Sequence, residues 1–101
     1  MQIQVEKDSG KARLVLQGRF DFQTNRDFRA ACDNSLSAND VKSIEVDMNG
    51  VEYLDSSALG MLLVLRDKGS AANKAIAISN CRGQVREVLD IANFGKLFTI
   101  R

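Results

Sequence analysis

Histidine, proline and tryptophan are absent from these 101 residues, and cysteine occurs only at Cys32 and Cys81. Without histidine there is no His-dependent catalytic triad, no His-ligated metal and no phosphohistidine relay. Neither cysteine belongs to a CxxC pair or a Cys/His cluster, so metal binding lacks ligands and both read as reduced, buried thiols. Long apolar runs are missing too. The longest, Ala58 to Leu65 with Gly60 inside it, is far short of the roughly 20 residues a spanning helix needs. Met1 to Gly10 alternates polar with apolar residues and has no h-region of a signal peptide, so the expectation is a soluble, cytoplasmic protein. Charge of one sign is lacking as well: 14 basic and 13 acidic residues are intermixed, with a net charge of +1. No basic stripe offers itself to nucleic acid or to an anionic membrane.

What is there begins with 45% apolar content, enough to bury one core and so to make residues 1–101 a single domain. Ile3 and Val5, then Leu14 and Leu16, alternate with polar residues on either side of Lys7-Asp8-Ser9-Gly10, which predicts an opening β-hairpin. Thr24 can cap a following helix whose stripe is Phe28, Ala31, Cys32, Ser35 and Leu36. From Lys42 to Asn49 the period returns to two, with Ile44, Val46 and Met48 on one face and Glu45, Asp47 and Asn49 on the other, a half-buried strand. Gly50 to Leu54 reads as a connecting loop. A helix from Ser56 to Lys68, apolar around most of its surface, is expected to stop at Gly69 as its cap and to touch the sheet and something else. Lys74 to Ser79 is a short strand, Val85, Val88, Leu89 and Ala92 repeat at helical spacing, and Lys96 to Ile100 reads as the last strand. The alternation predicts an α/β fold: a mixed sheet of four to five strands with helices packed against it. Parallel, right-handed crossovers would bring the loops Arg19 to Thr24, Gly50 to Ser56 and Ser79 to Arg82 to one rim, where partners of open α/β sheets are favoured.

The stretch Val51-Glu52-Tyr53-Leu54-Asp55-Ser56-Ser57-Ala58-Leu59-Gly60 delivers two serines to the start of an apolar helix. Asp and Ser are the commonest N-cap residues, so spacing alone favours capping over a site. Asp21 reads equally as the closing residue of an Asx-turn or as part of a site. In the apolar helix, Met61 or Val64 is left free for a partner once the core is satisfied. An enzyme is not expected: Asp55-Ser56 is no nucleophile elbow, there is no histidine to act as base, and no phosphate-binding glycine loop or Walker lysine is present. A receiver domain would need an acidic pair after its first strand to hold magnesium, and Met1 to Gly10 does not supply it.

Tyr53-Leu54-Asp55-Ser56-Ser57-Ala58-Leu59-Gly60 resembles the signature of the STAS domains of anti-sigma-factor antagonists, Asp-Ser-Ser/Thr-Gly-Leu-Gly after a strand, a loop and an aromatic residue. A second family element, Gly-x-Leu/Phe-Asp-x-x-Thr/Asn, is matched by Gly18-Arg19-Phe20-Asp21-Phe22-Gln23-Thr24, and the likeness extends through Ile91 to Phe98. Two departures are Ala58, where many antagonists have Gly, and the end at Arg101, where relatives often continue into another helix. The resemblance implies a monomeric bacterial partner switch in transcription regulation that uses no cofactor. Unmodified, it would bind an anti-sigma factor that is also an ATP-using serine kinase. Phosphorylation on Ser56, with Ser57 as second choice, would release it, and a metal-dependent serine phosphatase would reset it. Asp21, Thr24, Tyr53, Asp55, Ser56, Ser57, Leu59 and Met61 are the implied partner-binding residues. A STAS subunit bracing the ATPase of a lipid-transport ABC complex is the alternative.

Overall fold

The computed structural model describes all 101 residues as a five-stranded sheet and three α-helices. Strand β1 (Gln2–Asp8) pairs antiparallel with β2 (Lys11–Phe20), placing Ile3 opposite Leu16 and Asp8 opposite Lys11. Ser9 (φ 50°) and Gly10 (φ 84°) make the reversal, both left-handed, as a two-residue hairpin requires if the strands are to keep their twist. Helix α1 (Asn25–Ser37) leads to β3 (Ser43–Leu54), α2 (Ser56–Ala71) to β4 (Ala75–Ser79), and α3 (Gly83–Ile91) to the short β5 (Thr99–Ile100).

Spatial order equals chain order, β1-β2-β3-β4-β5, and β2 to β5 are all parallel. Each crossover therefore steps across the sheet in the same direction. Right-handed connections then place α1, α2 and α3 on the same face. Burial agrees: Leu14, Leu16, Ile44, Val46, Met48 and Ile78 are at most 1% exposed and belong to one core with Phe28 of α1, Leu62 and Leu65 of α2, and Val85 and Leu89 of α3. Helix α2 packs on α1 as well as on β4, which is why its apolar residues cover more than one face. Burial of Leu62 and Leu65 contributes roughly 1.5–3 kcal/mol each. No helix is long and apolar enough to cross a membrane.

Four local expectations are corrected by the structure. Gly50 to Leu54 is strand, not loop: β3 runs on past Asp47, paired with β2 alone, as far as Leu54 opposite Phe20. A register shift beside Gln17 breaks the alternation, and at Gly50 a Cβ would lie 2.9 Å from the Leu16 carbonyl oxygen, so the glycine permits a close backbone approach rather than a turn. Gly69 does not end α2. It is buried inside the helix against Ile76, and the stop is Asn73 (φ 58°), with Asn73 N–H donating to Ser70 O (3.2 Å) and Lys74 N–H to Gly69 O (2.8 Å), the paired bonds of a Schellman ending. The last strand shrinks to Thr99–Ile100, because Phe94–Lys96 forms a 3-10 turn that buries Phe94 against Phe98. Finally, Glu45 and Asp47 do not face open solvent: they are 7% and 4% exposed on the sheet face that no helix covers.

Candidate functional site

The long β2–β3 pair fixes the geometry of the rim. Beyond Asp47, which is level with Ser79, β3 extends roughly 20 Å at about 3.3 Å per residue. The loops after β2 and β3 therefore meet at the far end, where Asp55 N–H donates to Phe20 O (3.3 Å). The loop after β4 stays behind: Asn80 donates to Asp47 Oδ1 (3.1 Å) and Arg82 to the Asn49 carbonyl (3.2 Å). Two of the three expected loops share the rim, and the third is tied to the middle of the sheet.

At the start of α2 the division of labour is clear. Asp55, in extended backbone, caps the helix by accepting from Ala58 N–H at Oδ1 (2.9 Å), and its carbonyl accepts from Leu59 N–H (3.2 Å). Ser56 is the first helical residue and is exposed, and its hydroxyl makes no hydrogen bond within the protein. Ser57 is half-buried, also without a hydroxyl partner, while Ala58 is fully buried with its methyl in the core. Leu59 and Met61 are half-buried against that core.

Across from this turn, Asp21 closes a capping box around the 3-10 turn Phe22–Thr24. Gln23 N–H donates to Asp21 Oδ1 (3.0 Å), Asp21 N–H donates to Thr24 Oγ1 (3.2 Å), and the Thr24 hydroxyl donates to Asp21 O (2.7 Å). Thr24 is buried and both functions of its hydroxyl are occupied, so it holds the turn from beneath and does not cap α1 with its side chain. Arg19 Nε lies 3.6 Å from Asp21 Oδ2, and the Arg19 guanidinium sits 4.1 Å from the centroid of the Tyr53 ring. The rim thus gathers Asp21, Tyr53, Asp55, Ser56 and Ser57, with Glu52 exposed beside them.

Two features escape sequence inspection. Phe22 stands 70% exposed at the mouth of a groove of about 360 Å³ between α1 and α2, walled by Phe28, Met61 and Val64 and closed at the far end by the Lys68–Asp33 ion pair (3.0 Å). Its place inside the second motif was the only available signal. Arg19, whose partners are Asp21 in the turn after β2 and Tyr53 on β3, carries no signal in a single sequence. Neither thiol belongs to the rim: burial pushes Cys32, with Asp33 adding to the effect, up to about 12 and Cys81 up to about 11.

Comparison with known proteins agrees with this construction. The family model described as "Mlab, STAS domain" matches residues 3–99, and the chain belongs to the STAS domain family. A STAS-domain containing protein of Pseudomonas aeruginosa is 44% identical over 93 residues, covering 92% of this chain and 90% of the relative. An anti-sigma F factor antagonist of Paenibacillus polymyxa is 24% identical over 104 residues, covering 99% and 86% respectively. Among solved structures, the unphosphorylated form of the anti-sigma factor antagonist SpoIIAA has the same fold, with a TM-score of 0.77 at 20% identity over 99% of this chain and 87% of that one.

Proposed function

We propose that the chain is a phosphorylation-controlled antagonist of an anti-sigma factor. Unmodified, it binds a partner that is both anti-sigma factor and ATP-using serine kinase. Transfer of the γ-phosphoryl group to Ser56 Oγ, with ADP as leaving group and the serine proton passing to a base of the kinase, ends the contact. A metal-dependent serine phosphatase hydrolyses the ester and restores the binding form. The observation that carries this reading is that Asp55 does the capping, which leaves the adjacent Ser56 hydroxyl exposed and without a structural duty. Similarity over 99% of the chain to an anti-sigma F factor antagonist supports the same class.

The partner surface is the rim of Asp21, Tyr53, Asp55, Ser56 and Ser57, with Leu59 and Met61 on the first turns of α2 and Thr24 fixing the Asp21 turn. Phosphate adds about −1.5 to −2 charges to a surface already bearing Asp21, Glu52 and Asp55, and a docked partner must then desolvate them all. The protein acts as a monomer in the cytoplasm. A second reading, a STAS subunit bracing a transport ATPase, is favoured by the exposed apolar residues Phe22, Val64 and Ile91, which would suit a permanent contact. Incubation with ATP and any serine kinase encoded beside this gene, followed by mass-spectrometric mapping, tests the first reading. Label on Ser56 and loss of co-elution with the kinase are expected. Label on Ser57, or on neither serine, would overturn the site, and a neighbouring permease and ATPase in place of the kinase would favour the second reading.

A further inference from the structure

We propose that the groove between α1 and α2 seats an amphipathic α-helix of a partner protein, which lies against the bare backbone at Gly60 and presents an acidic side chain to Arg29. The proposal rests on the reading above only for the partner's identity, and adds a second contact beside the Ser56 rim for the same protein.

Gly60 sits in the second turn of α2, where glycine is disfavoured relative to alanine, and nothing inside the protein calls for it. Its backbone is not left-handed, and a Cβ there would meet nothing within 4 Å. Gly69 of the same helix is the contrast, since a Cβ there would run into Ile76. Gly60 is exposed and lines the groove, so its bare backbone faces outward, and close approach of another molecule is what the missing side chain permits.

The walls indicate what that molecule is. Because α1 and α2 follow neighbouring parallel strands, they run side by side in one direction, and the groove extends from Ser57 to Lys68, about 16 Å at 1.5 Å per residue. Phe22 and Val64 stand 70% and 49% exposed along it. A small ligand ordinarily buries most of its own surface and would leave these two side chains in water, whereas a helix laid lengthwise covers both with residues at i, i+3 or i+4, and i+7. A second copy is not complementary, since a two-fold contact would set the groove against itself and one Arg29 against another. Charge completes the assignment. Lys68 is held by Asp33 at 3.0 Å, but Arg29, exposed on the α1 wall, has no ion pair, so the uncompensated charge of the groove is positive. An acid flanking the apolar stripe of the incoming helix matches it and fixes the register of docking.

The test uses the full chain and a display library of helix-forming peptides of about 14 residues, long enough to fill the groove. Enriched peptides are expected to carry the apolar stripe with an acid beside it, and to shift the amide resonances of Gly60, Met61 and Val64. Gly60→Ala should bind them about tenfold more weakly while melting no lower than wild type, so that lost binding is not lost folding. Phe22→Ser should weaken them to a similar extent. Arg29→Glu should weaken the peptides that carry the acid, and changing that acid to Gln should remove most of the difference. A library that yields no binder, or binders that keep their affinity for Gly60→Ala, would overturn the proposal. So would a dimer broken by Gly60→Ala, which assigns the groove to a second copy, or saturable shifts at Gly60 with dodecanoate and not with peptide, which assign it to a small amphiphile. No kinase enters these measurements, so failure of a kinase to label Ser56 would sink the function proposed above and leave this result standing.

Discussion

Asp55 and Ser56 are adjacent and chemically similar as capping residues, yet they carry separate duties, and substitutions separate them. Asp55→Ala removes the acceptor for Ala58 N–H and is expected to cost about 1 kcal/mol in urea unfolding, the usual size of a lost N-cap. Ser56→Ala removes a hydroxyl without a partner and should leave stability within about 0.5 kcal/mol of wild type. On the proposed function the effects on binding run the other way. Ser56→Ala keeps the interface neutral, so calorimetric affinity for the kinase partner should be retained and should no longer fall when ATP is added. Ser56→Asp should weaken binding, though less than phosphorylation does, because a carboxylate carries only part of a phosphate's charge. A Ser56→Ala protein still released by ATP would show that the regulated residue lies elsewhere.

Helix α2 shows how far periodicity reaches at the scale of an element. Its existence and its apolar surface follow from composition, but its end does not, because a glycine near the end of an apolar run reads as a cap whether or not it packs against something. At Gly69 a Cβ would lie 2.5 Å from Ile76 Cγ1, whereas at Gly60 nothing lies within 4 Å. Gly69→Ala is therefore expected to destabilise by about 1–3 kcal/mol through overpacking against β4, while Gly60→Ala should stabilise by up to about 1 kcal/mol through helix propensity. Thermal unfolding of the two variants checks this, and equal shifts of the same sign would show that Gly69 is not a packing position. The end of α1 also depends on a residue distant in sequence: Lys74 Nζ donates to the carbonyls of Ser35 (3.2 Å), Leu36 (2.6 Å) and Ala38 (2.8 Å). The two motifs and the order of elements were legible because each rests on local pattern. The extension of β3 was hidden because Asn49-Gly50 carries a turn signal while the register shift disrupts alternation. The meeting of Asp21 with Asp55 could be foreseen from topology, but the retreat of the Ser79–Arg82 loop could not, since it depends on how far β3 outruns β4.

Over the whole molecule, a largely parallel sheet with every helix on one face leaves the other face open, whereas such sheets are ordinarily covered on both sides. Here side chains form the cover. Glu45 pairs with Lys11, accepts from the Ser79 hydroxyl (2.7 Å) and meets Arg101 at 3.2 Å, while Asp47 pairs with Arg13 and accepts from Asn49 N–H (2.9 Å) and Asn80 (3.1 Å). Alternation alone marks these acids as solvent-facing, because it cannot reveal that cations on β2 and at the chain's end will close over them. Burial by itself would raise both carboxyl pKa values. It is outweighed at Glu45 by the bonds from Lys11 and Ser79 and by the charges of Lys11 and Arg13, and at Asp47 by the bonds from Asn49, Asn80 and Arg13, so both are held below the ordinary carboxylate range. The folded protein thus keeps these groups charged at a pH where the unfolded chain has begun to protonate. Their contribution is fully present above about pH 4 and is lost as the pH falls through their folded values. Asp47→Asn retains the shape but leaves Arg13 only its longer contact with Glu45 (3.7 Å), and at pH 7 it should be less stable by about 1 kcal/mol. Urea midpoints measured from pH 7 to pH 2.5 should show the wild-type curve falling toward that of Asp47→Asn as the acid protonates. Two curves that stay parallel over the whole range would mean that the charge on Asp47 does not hold this face together.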